Sequence, residues 1–211
     1  MATVIFDFDG TIVDSLQVAA EIIYTMTQLK YRLSRNDILA LRSKSIKTIA
    51  KEFKISPLRL LYMVIRGRKM MKEYIDELEP IPGITDVIKL LHHQGNHLYI
   101  ASTNSSSNID KFLKNYHIRS LFTDVIGGNS LFGKSKTISR IINHQKNTAQ
   151  PFFYIGDEVR DIEAAKEAGV KSIAVIWGFS EYEQLLEAKP YAIVKKPEEL
   201  LEIINKPVTD N

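Results

Sequence analysis

Short runs of apolar residues recur along the chain, and helical patterns separate most of them. The runs are TVIF (3–6), HLYIAST (97–103), DVIGG (124–128), FFYIGD (152–157), SIAVIW (172–177) and YAIV (191–194). Continuous apolar runs of this length are typical of strands buried on both faces of a parallel sheet. Their alternation with helices predicts an open, doubly wound α/β fold, in which ligands bind at the carboxyl ends of the strands.

Helical periodicity fills most of the intervals between these predicted strands. Helical patterns cover residues 85–94, 108–116, 136–145 and 161–168. Gly95 and Gly169 directly follow two of them. Glycine just past a helix is a common stop signal, because it tolerates the left-handed conformation there.

Residues 15–79 interrupt the alternation. They predict several amphipathic helices and end at EPIPG (79–83), whose prolines suit a stiff return into the sheet. We therefore expect an α/β core formed by residues 1–14 and 80–211, with a helical cap inserted at 15–79. The insertion holds 13 Lys and Arg against 7 Asp and Glu, whereas the remainder holds 15 against 18. A basic cap could steer an anionic substrate, although a solvated basic surface explains the same charge equally well.

Composition excludes several classes of protein. The chain has 211 residues, 45% of them hydrophobic, which suffices for a proper core. It has no cysteine, so disulfides and thiolate metal sites are excluded. No secretory leader, membrane-spanning run or dense basic patch is visible. We therefore expect a soluble cytoplasmic protein, monomeric or homodimeric, that binds neither membranes nor nucleic acids.

Acidic residues stand at the ends of two predicted strands. Asp7 and Asp9 lie on one side of the chain where the first strand runs out into DFDGT, and Asp157 ends FFYIGD. Asp161 follows one helical turn later. Any one of these could simply cap a turn or a helix, but together they would repel unless a cation lies among them. Mg²⁺ prefers such oxygen ligands, so the pattern predicts a magnesium site at this edge of the sheet.

The segment GNSLFGKS (128–135) also matches the phosphate-binding loop of nucleotide hydrolases, G-x-x-x-x-G-K-[ST]. Its context, after a strand and before a helix, fits as well. The match is weak on physical grounds, because Leu131 and Phe132 occupy the middle of a loop whose N–H groups would have to wrap around phosphate. It also leaves DFDGT unexplained.

Four stretches of the chain resemble, in order, the four motifs of the haloacid dehalogenase superfamily: DFDGTIVDS, ASTN, Lys134 and GDEVRDIEAAKEAG. The likeness is greatest to its phosphoglycolate phosphatase-like branch, which carries a helical cap after the first motif. It covers essentially the whole chain. The first and last motifs are specific, and the middle two are short.

The resemblance implies phosphoryl transfer in two steps. Asp7 would be the nucleophile that forms an aspartyl-phosphate, and Asp9 would act first as general acid and then as general base. Mg²⁺ would be held by Asp7, by Asp9 through its backbone carbonyl, by Asp157, and by Asp161 directly or through water. The implied substrate is a small phosphorylated metabolite.

The two middle motifs would bind the phosphoryl group. Thr103 would contact a phosphoryl oxygen together with Asn104, with Ser102 as the alternative because a slip of one residue reverses the face. Lys134 would balance the carboxylates and the phosphoryl charge, with Lys136 as the fallback.

Other functions remain open on the sequence. A sugar-phosphate mutase is an alternative, although such relatives tend to carry a histidine soon after the first motif and DSLQVAAEII has none. A nucleotide hydrolase and a non-catalytic family member are less favoured. In the cap, Arg42, Lys44, Lys47 and Arg66 are too many candidate anion partners to rank, so the substrate itself is not predicted. Trp177 is expected to be a packing residue at a strand end.

Overall fold

The computed structural model describes residues 1–27, 51, 55–128, 133–145 and 150–206. Over these residues the chain forms the following elements, in order: β1 (Thr3–Phe6), α1 (Leu16–Thr27), α2 (Pro57–Tyr74), α3 (Ile84–His93), β2 (His97–Ala101), α4 (Ser106–Asn115), a 3₁₀ turn (Arg119–Leu121), β3 (Asp124–Ile126), α5 (Lys134–His144), β4 (Phe152–Gly156), α6 (Val159–Glu167), β5 (Lys171–Val175), α7 (Tyr182–Glu187), β6 (Ala192–Val194) and α8 (Glu199–Asn205). None of the helices described here is both long and apolar enough to cross a bilayer.

The strands form one parallel sheet in the order β3-β2-β1-β4-β5-β6. β1 lies inside the sheet, and the chain builds outward from it first on the β2 side and then on the β4 side. The predicted doubly wound α/β fold is therefore confirmed. Its switch point, where such sheets bind ligands, lies at the carboxyl end of β1.

Side chains alternate between two apolar layers on the faces of the sheet. Val4 and Phe6 of β1 belong to the larger cluster, which includes residues of α3, α4 and α8. Ile5 belongs to the second cluster, with Tyr154 of β4 and residues of α5 and α6. Because Asp7 continues the Ile5 side of the alternation, the end of β1 presents its first acid towards the layer that contains α5.

The junction between core and predicted cap is closed by backbone pairing. Val13 and Pro80 form an isolated bridge, and the Asp14 N–H donates to the Glu79 carbonyl at 3.0 Å. The pairing brings the two ends of the 15–79 insertion together. Between them, α1 and α2 pack against each other. The assignment of this segment to a separate cap stays a prediction.

Most predicted elements differ from those observed by one or two residues at an end, and two of these differences border one loop. β2 ends at Ala101, two residues before the predicted strand end, because the chain turns there into the loop that leads to α4. α4 then begins at Ser106, since the Ser105 hydroxyl accepts the N–H of Asn108 at 3.2 Å and caps the helix. The loop between them carries Ser102, Thr103 and Asn104.

Candidate active site

The carboxyl ends of β1, β2 and β4 meet at the centre of the sheet. Phe6, the last residue of β1, is in register with Ile100 of β2 and Ile155 of β4. Residues that follow these three strands therefore emerge side by side. The candidate site is built from them and from the first turns of α5 and α6.

Asp7 is the first residue beyond β1, and it is buried. Its N–H donates to the Ile155 carbonyl at 2.8 Å, which fixes its backbone to β4. Its Oδ1 accepts the Phe8 N–H at 2.7 Å, and its Oδ2 accepts Lys134 Nζ at 2.7 Å. Each oxygen thus faces a donor, as suits an ionised carboxylate.

Lys134 is the first residue of α5, and its ammonium is enclosed between two carboxylates. Nζ lies 2.7 Å from Asp7 Oδ2 and 2.5 Å from Asp161 Oδ1, and it also stands 5.7 Å above the ring centre of Tyr154. Burial acts to lower the pKa of Lys134, but the charges of Asp161 and Asp7 outweigh it and raise the pKa above its ordinary value. Lys136, the alternative cation, is exposed.

Asp161 combines a structural contact with a contact in the site. Its Oδ2 accepts the Glu158 N–H at 3.1 Å and completes a capping box at the start of α6, while Oδ1 receives Lys134. Burial raises the pKa of Asp161 to about 6, although Lys134 opposes the shift. Gly156 is required beside it, because a Cβ there would lie 2.5 Å from Asp161 Oδ2.

Asp157, which follows β4, is completely buried. Thr11 Oγ1 donates to its Oδ1 at 2.9 Å, and the Phe179 N–H donates to its Oδ2 at 2.6 Å. Burial, followed by the charges of Glu158, Asp161 and Asp7, raises the pKa of Asp157 well above its ordinary value. An added cation would relieve this crowding.

Asp9 lies on the turn after β1, and Asn104 binds it. Asn104 Nδ2 donates to Asp9 Oδ2 at 3.0 Å, and Asn104 is itself held through its Oδ1 by the Ser105 N–H at 2.8 Å. Burial and then the charge of Asp7 raise the pKa of Asp9 to about 6. Asp9 can therefore gain and lose a proton close to neutral pH.

The two hydroxyl candidates after β2 differ in exposure. Ser102 is completely buried, and its Oγ accepts the Asn104 N–H at 3.2 Å. Thr103 is only partly buried. A hydroxyl that binds substrate must be reachable, so the geometry favours Thr103 over Ser102 for that predicted role.

The donor set fits a hard divalent cation. Carboxylate oxygens of three buried residues lie within 4.8 Å of one another: Asp7, Asp157 and Asp161. These are oxygen ligands of the kind that Mg²⁺ and Ca²⁺ take. The Asp9 side chain is not part of this triad, so its predicted contribution through the backbone carbonyl stays a prediction.

The charge balance of the site also indicates that it suits a divalent cation. Among the described residues, Lys134 is the one cation that pairs with any of the four predicted acids, and it contacts only Asp7 and Asp161. The nearby Arg160 pairs with Glu158, so these two side chains offset each other. The site as folded therefore carries excess negative charge, which a divalent cation would reduce.

The sequence did not predict the residues that hold Asp157. Thr11 and Phe179 donate to it, and Trp177 Nε1 donates to the Thr11 carbonyl at 3.2 Å. Trp177, expected only to pack, thus also bonds the turn after β1. The available signal was the pair of glycines at 10 and 178, which mark close approaches of backbone to other groups.

The residues singled out in the predicted cap and in GNSLFGKS have different outcomes. Arg42, Lys44 and Lys47 lie outside the described residues, as do positions 129–132 of GNSLFGKS. Arg66 is exposed on α2, where its Nη1 donates to the Tyr62 hydroxyl at 3.4 Å. Lys134, the lysine of that motif, bonds the acids of β1 and α6.

Comparison with known proteins agrees with this arrangement. Residues 4–175 match the model of the haloacid dehalogenase-like hydrolase family. A phosphoglycolate phosphatase of Synechococcus elongatus is 32% identical over 98% of both chains. A pyrophosphatase of Halalkalibacterium halodurans is 24% identical over 96% of both. A haloacid dehalogenase-like hydrolase from Streptococcus pneumoniae superposes with a TM-score of 0.76 at 24% identity, covering 96% of this chain and 98% of its own, which supports the fold.

Fold and site together define a doubly wound α/β protein with an aspartate-rich site at the switch point of its sheet. Within that class, the chain belongs to the haloacid dehalogenase-like hydrolases. The resemblance of its motifs to this family is confirmed, including the likeness to phosphoglycolate phosphatases. The roles of the individual residues stay predictions.

The raised pKa of Asp9 predicts a cost in stability. Its pKa is about 6 in the folded protein against an ordinary 3.8, so the folded state is penalised once Asp9 ionises. In chelator at pH 8, Asp9→Asn should therefore stabilise the protein, by about 1–3 kcal/mol. The gain should shrink as the pH falls from about 6 towards 3.8 and vanish below that, where Asp9 is protonated in both the folded and the unfolded state. Thermal unfolding of both proteins across this range measures it.

Asp14→Asn is the matched control, because Asp14 is exposed on the same loop. It should show no such gain at pH 8. Equal melting temperatures for wild type and Asp9→Asn at pH 8 would contradict the destabilisation assigned to ionised Asp9.

Proposed function

We propose that the protein is a Mg²⁺-dependent phosphatase that hydrolyses a small phosphomonoester, in the manner of a phosphoglycolate phosphatase, through an aspartyl-phosphate. The observation that carries the proposal is the contrast between Asp7 and Asp9. Asp7 accepts hydrogen bonds from Phe8 and Lys134 as an anion would, whereas burial raises the pKa of Asp9 to about 6. Two carboxyl groups whose environments differ in this way suit the roles of nucleophile and acid–base.

In the first step a carboxylate oxygen of Asp7 attacks phosphorus. The bond between phosphorus and the ester oxygen breaks, and Asp9 gives its proton to that leaving oxygen, so the alcohol departs neutral. In the second step Asp9, now ionised, takes a proton from water as the water oxygen attacks phosphorus. The bond from phosphorus to Asp7 breaks, and inorganic phosphate leaves.

Other residues position the groups that react. Lys134 Nζ lies 2.7 Å from Asp7 Oδ2, where it would stabilise negative charge on the phosphoryl oxygens. Asn104 fixes Asp9 through the 3.0 Å bond to its Oδ2. Thr103, next to Asn104, would donate its hydroxyl to a phosphoryl oxygen.

Asp7, Asp157 and Asp161 would hold Mg²⁺, with Asp9 contributing its backbone carbonyl. When bound, the cation supplies positive charge that offsets the carboxylates and the phosphoryl group. We take Mg²⁺ rather than Ca²⁺ because a site that shares its ion with substrate phosphate is typical of magnesium.

The names of relatives favour two substrate types. The Synechococcus relative is a phosphoglycolate phosphatase, and a relative from Listeria welshimeri at 26% identity is a pyrophosphatase. Both named substrates carry a second anionic group besides the phosphoryl that is transferred. The basic segment 15–79, proposed as a cap that closes over the site, would attract either of them.

A panel of phosphate esters with MgCl₂ tests the reaction class. Wild type should release phosphate from phosphoglycolate, from pyrophosphate or from both, and Asp7→Asn should lower kcat by about three orders of magnitude or more, because the amide is no nucleophile. Asp14→Asn should retain wild-type rates. Phosphate release that survives Asp7→Asn would contradict the proposal.

Interconversion of sugar phosphates without net phosphate release would indicate a mutase instead. Hydrolysis of ATP that depends on Lys134 but not on Asp7 would indicate a nucleotide hydrolase. Failure to turn over any ester would favour a non-catalytic family member.

The acid role of Asp9 predicts a dependence on the leaving group. Asp9→Asn should lower kcat/KM for an alkyl phosphate by about 10²–10⁴-fold, because the alkoxide departs poorly without a proton. The loss should be much smaller for p-nitrophenyl phosphate, whose phenolate leaves without help. Steady-state kinetics with both esters measure the two ratios, and equal losses for both would argue against proton donation by Asp9.

A further inference from the structure

The segment from Trp177 to Ser180, between β5 and α7, lies directly against Asp157; we refer to it as the 177–180 segment. The Phe179 N–H donates to Asp157 Oδ2 at 2.6 Å, and the Ser180 N–H donates to the Asp157 carbonyl at 3.2 Å. A Cβ on Gly178 would lie 2.2 Å from the Asp157 side chain. Only glycine therefore lets the backbone approach the carboxylate this closely.

The other oxygen of Asp157 is reached through Thr11. The fully buried Thr11 donates its hydroxyl to Asp157 Oδ1 at 2.9 Å. Its carbonyl accepts Trp177 Nε1 at 3.2 Å, so the indole fixes the backbone that places the hydroxyl. Gly10, with φ of 73°, lies against the first oxygen instead, since a Cβ there would be only 2.3 Å from Asp157 Oδ2.

These contacts determine the orientation of the Asp157 carboxylate. One oxygen is fixed by a backbone N–H and the other by a hydroxyl, and the 177–180 segment controls both. Each oxygen keeps a lone pair for a further ligand, since a carboxylate offers about four acceptor sites in all. Carboxylates that bind metals are commonly held in this way by neighbouring donors, and loss of such a donor typically costs about 10–100-fold in metal affinity.

We propose that the 177–180 segment is the positioning element of the metal site: Trp177, acting through Thr11, and the Phe179 N–H hold the Asp157 carboxylate in the orientation that binds a divalent cation. The inference rests on the proposed function, because it takes Asp157 to be a ligand of Mg²⁺. Trp177 and Thr11 are positioning residues and not ligands.

Trp177 offers a direct readout, because it is the only tryptophan among the 211 residues. Its indole N–H is linked through Thr11 to the Asp157 carboxylate. Adding MgCl₂ to protein stripped of metal should therefore change the tryptophan emission in a saturable way. The midpoint should equal the Kd from calorimetric titration of the same protein with MgCl₂.

A pair of variants at position 11 separates orientation from packing. Thr11→Val removes the hydroxyl and keeps the shape, so the Kd for Mg²⁺ should rise by about 10–100-fold. Thr11→Ser keeps the hydroxyl, so its Kd should stay close to that of the wild type. Trp177→Phe keeps an aromatic ring but loses the N–H donor, so it should weaken Mg²⁺ binding in the same direction, as measured by calorimetry.

Thermal unfolding without metal shows whether each variant folds. If Thr11→Val and Trp177→Phe lose stability but bind Mg²⁺ as tightly as the wild type, the segment only packs and the inference is overturned while the proposed function stands. If wild-type protein hydrolyses esters but binds no Mg²⁺, both the metal assignment and the inference are wrong. Wild-type affinity for Mg²⁺ in Thr11→Ser, together with weakened binding in Thr11→Val, would support the inference.

Discussion

A buried ammonium ties three elements of the protein together at the centre of the sheet. Lys134, from the first turn of α5, bonds Asp7 at the end of β1 and Asp161 in the first turn of α6. Breaking a buried pair of this kind leaves an uncompensated charge and typically costs about 3–5 kcal/mol. The relative placement of strand end and helix starts, and therefore the site itself, depends on this contact.

Even with this ammonium in place, the site holds more acidic groups than cations. One ammonium faces several buried carboxyls, and burial raises the pKa of Asp9, Asp157 and Asp161. Strongly perturbed carboxyls gathered in one place are typical of functional sites, where stability is given up for reactivity. The crowded acids lower the stability of the metal-free protein, and the same negative charge would attract a cation, which in turn would bind a phosphoryl group.

Much of this arrangement could be predicted from the sequence, because the motifs lie at strand ends and a parallel sheet brings strand ends together. The motifs predict four acids as neighbours, and the side chains of three of them form the observed triad, namely Asp7, Asp157 and Asp161, whereas that of Asp9 does not belong to it. The orientation of Asp157 could not be predicted. It depends on Trp177 bonding Thr11, 166 positions away, and no local pattern encodes that contact. Likewise Ser102 and Thr103 are neighbours that both carry a hydroxyl, and only the observed burial of Ser102 separates them.

The central claim is that phosphate passes through a covalent bond to Asp7, and mass spectrometry of acid-quenched protein during turnover tests it most directly. Acid preserves an acyl phosphate long enough for peptide mapping, and its reaction with hydroxylamine distinguishes it from a phosphorylated serine or threonine. The account predicts a phosphorylated peptide covering DFDGT, with the modification on Asp7, that decays as substrate is exhausted. Steady turnover with no phosphorylated peptide, or with the phosphate on another residue, would contradict it.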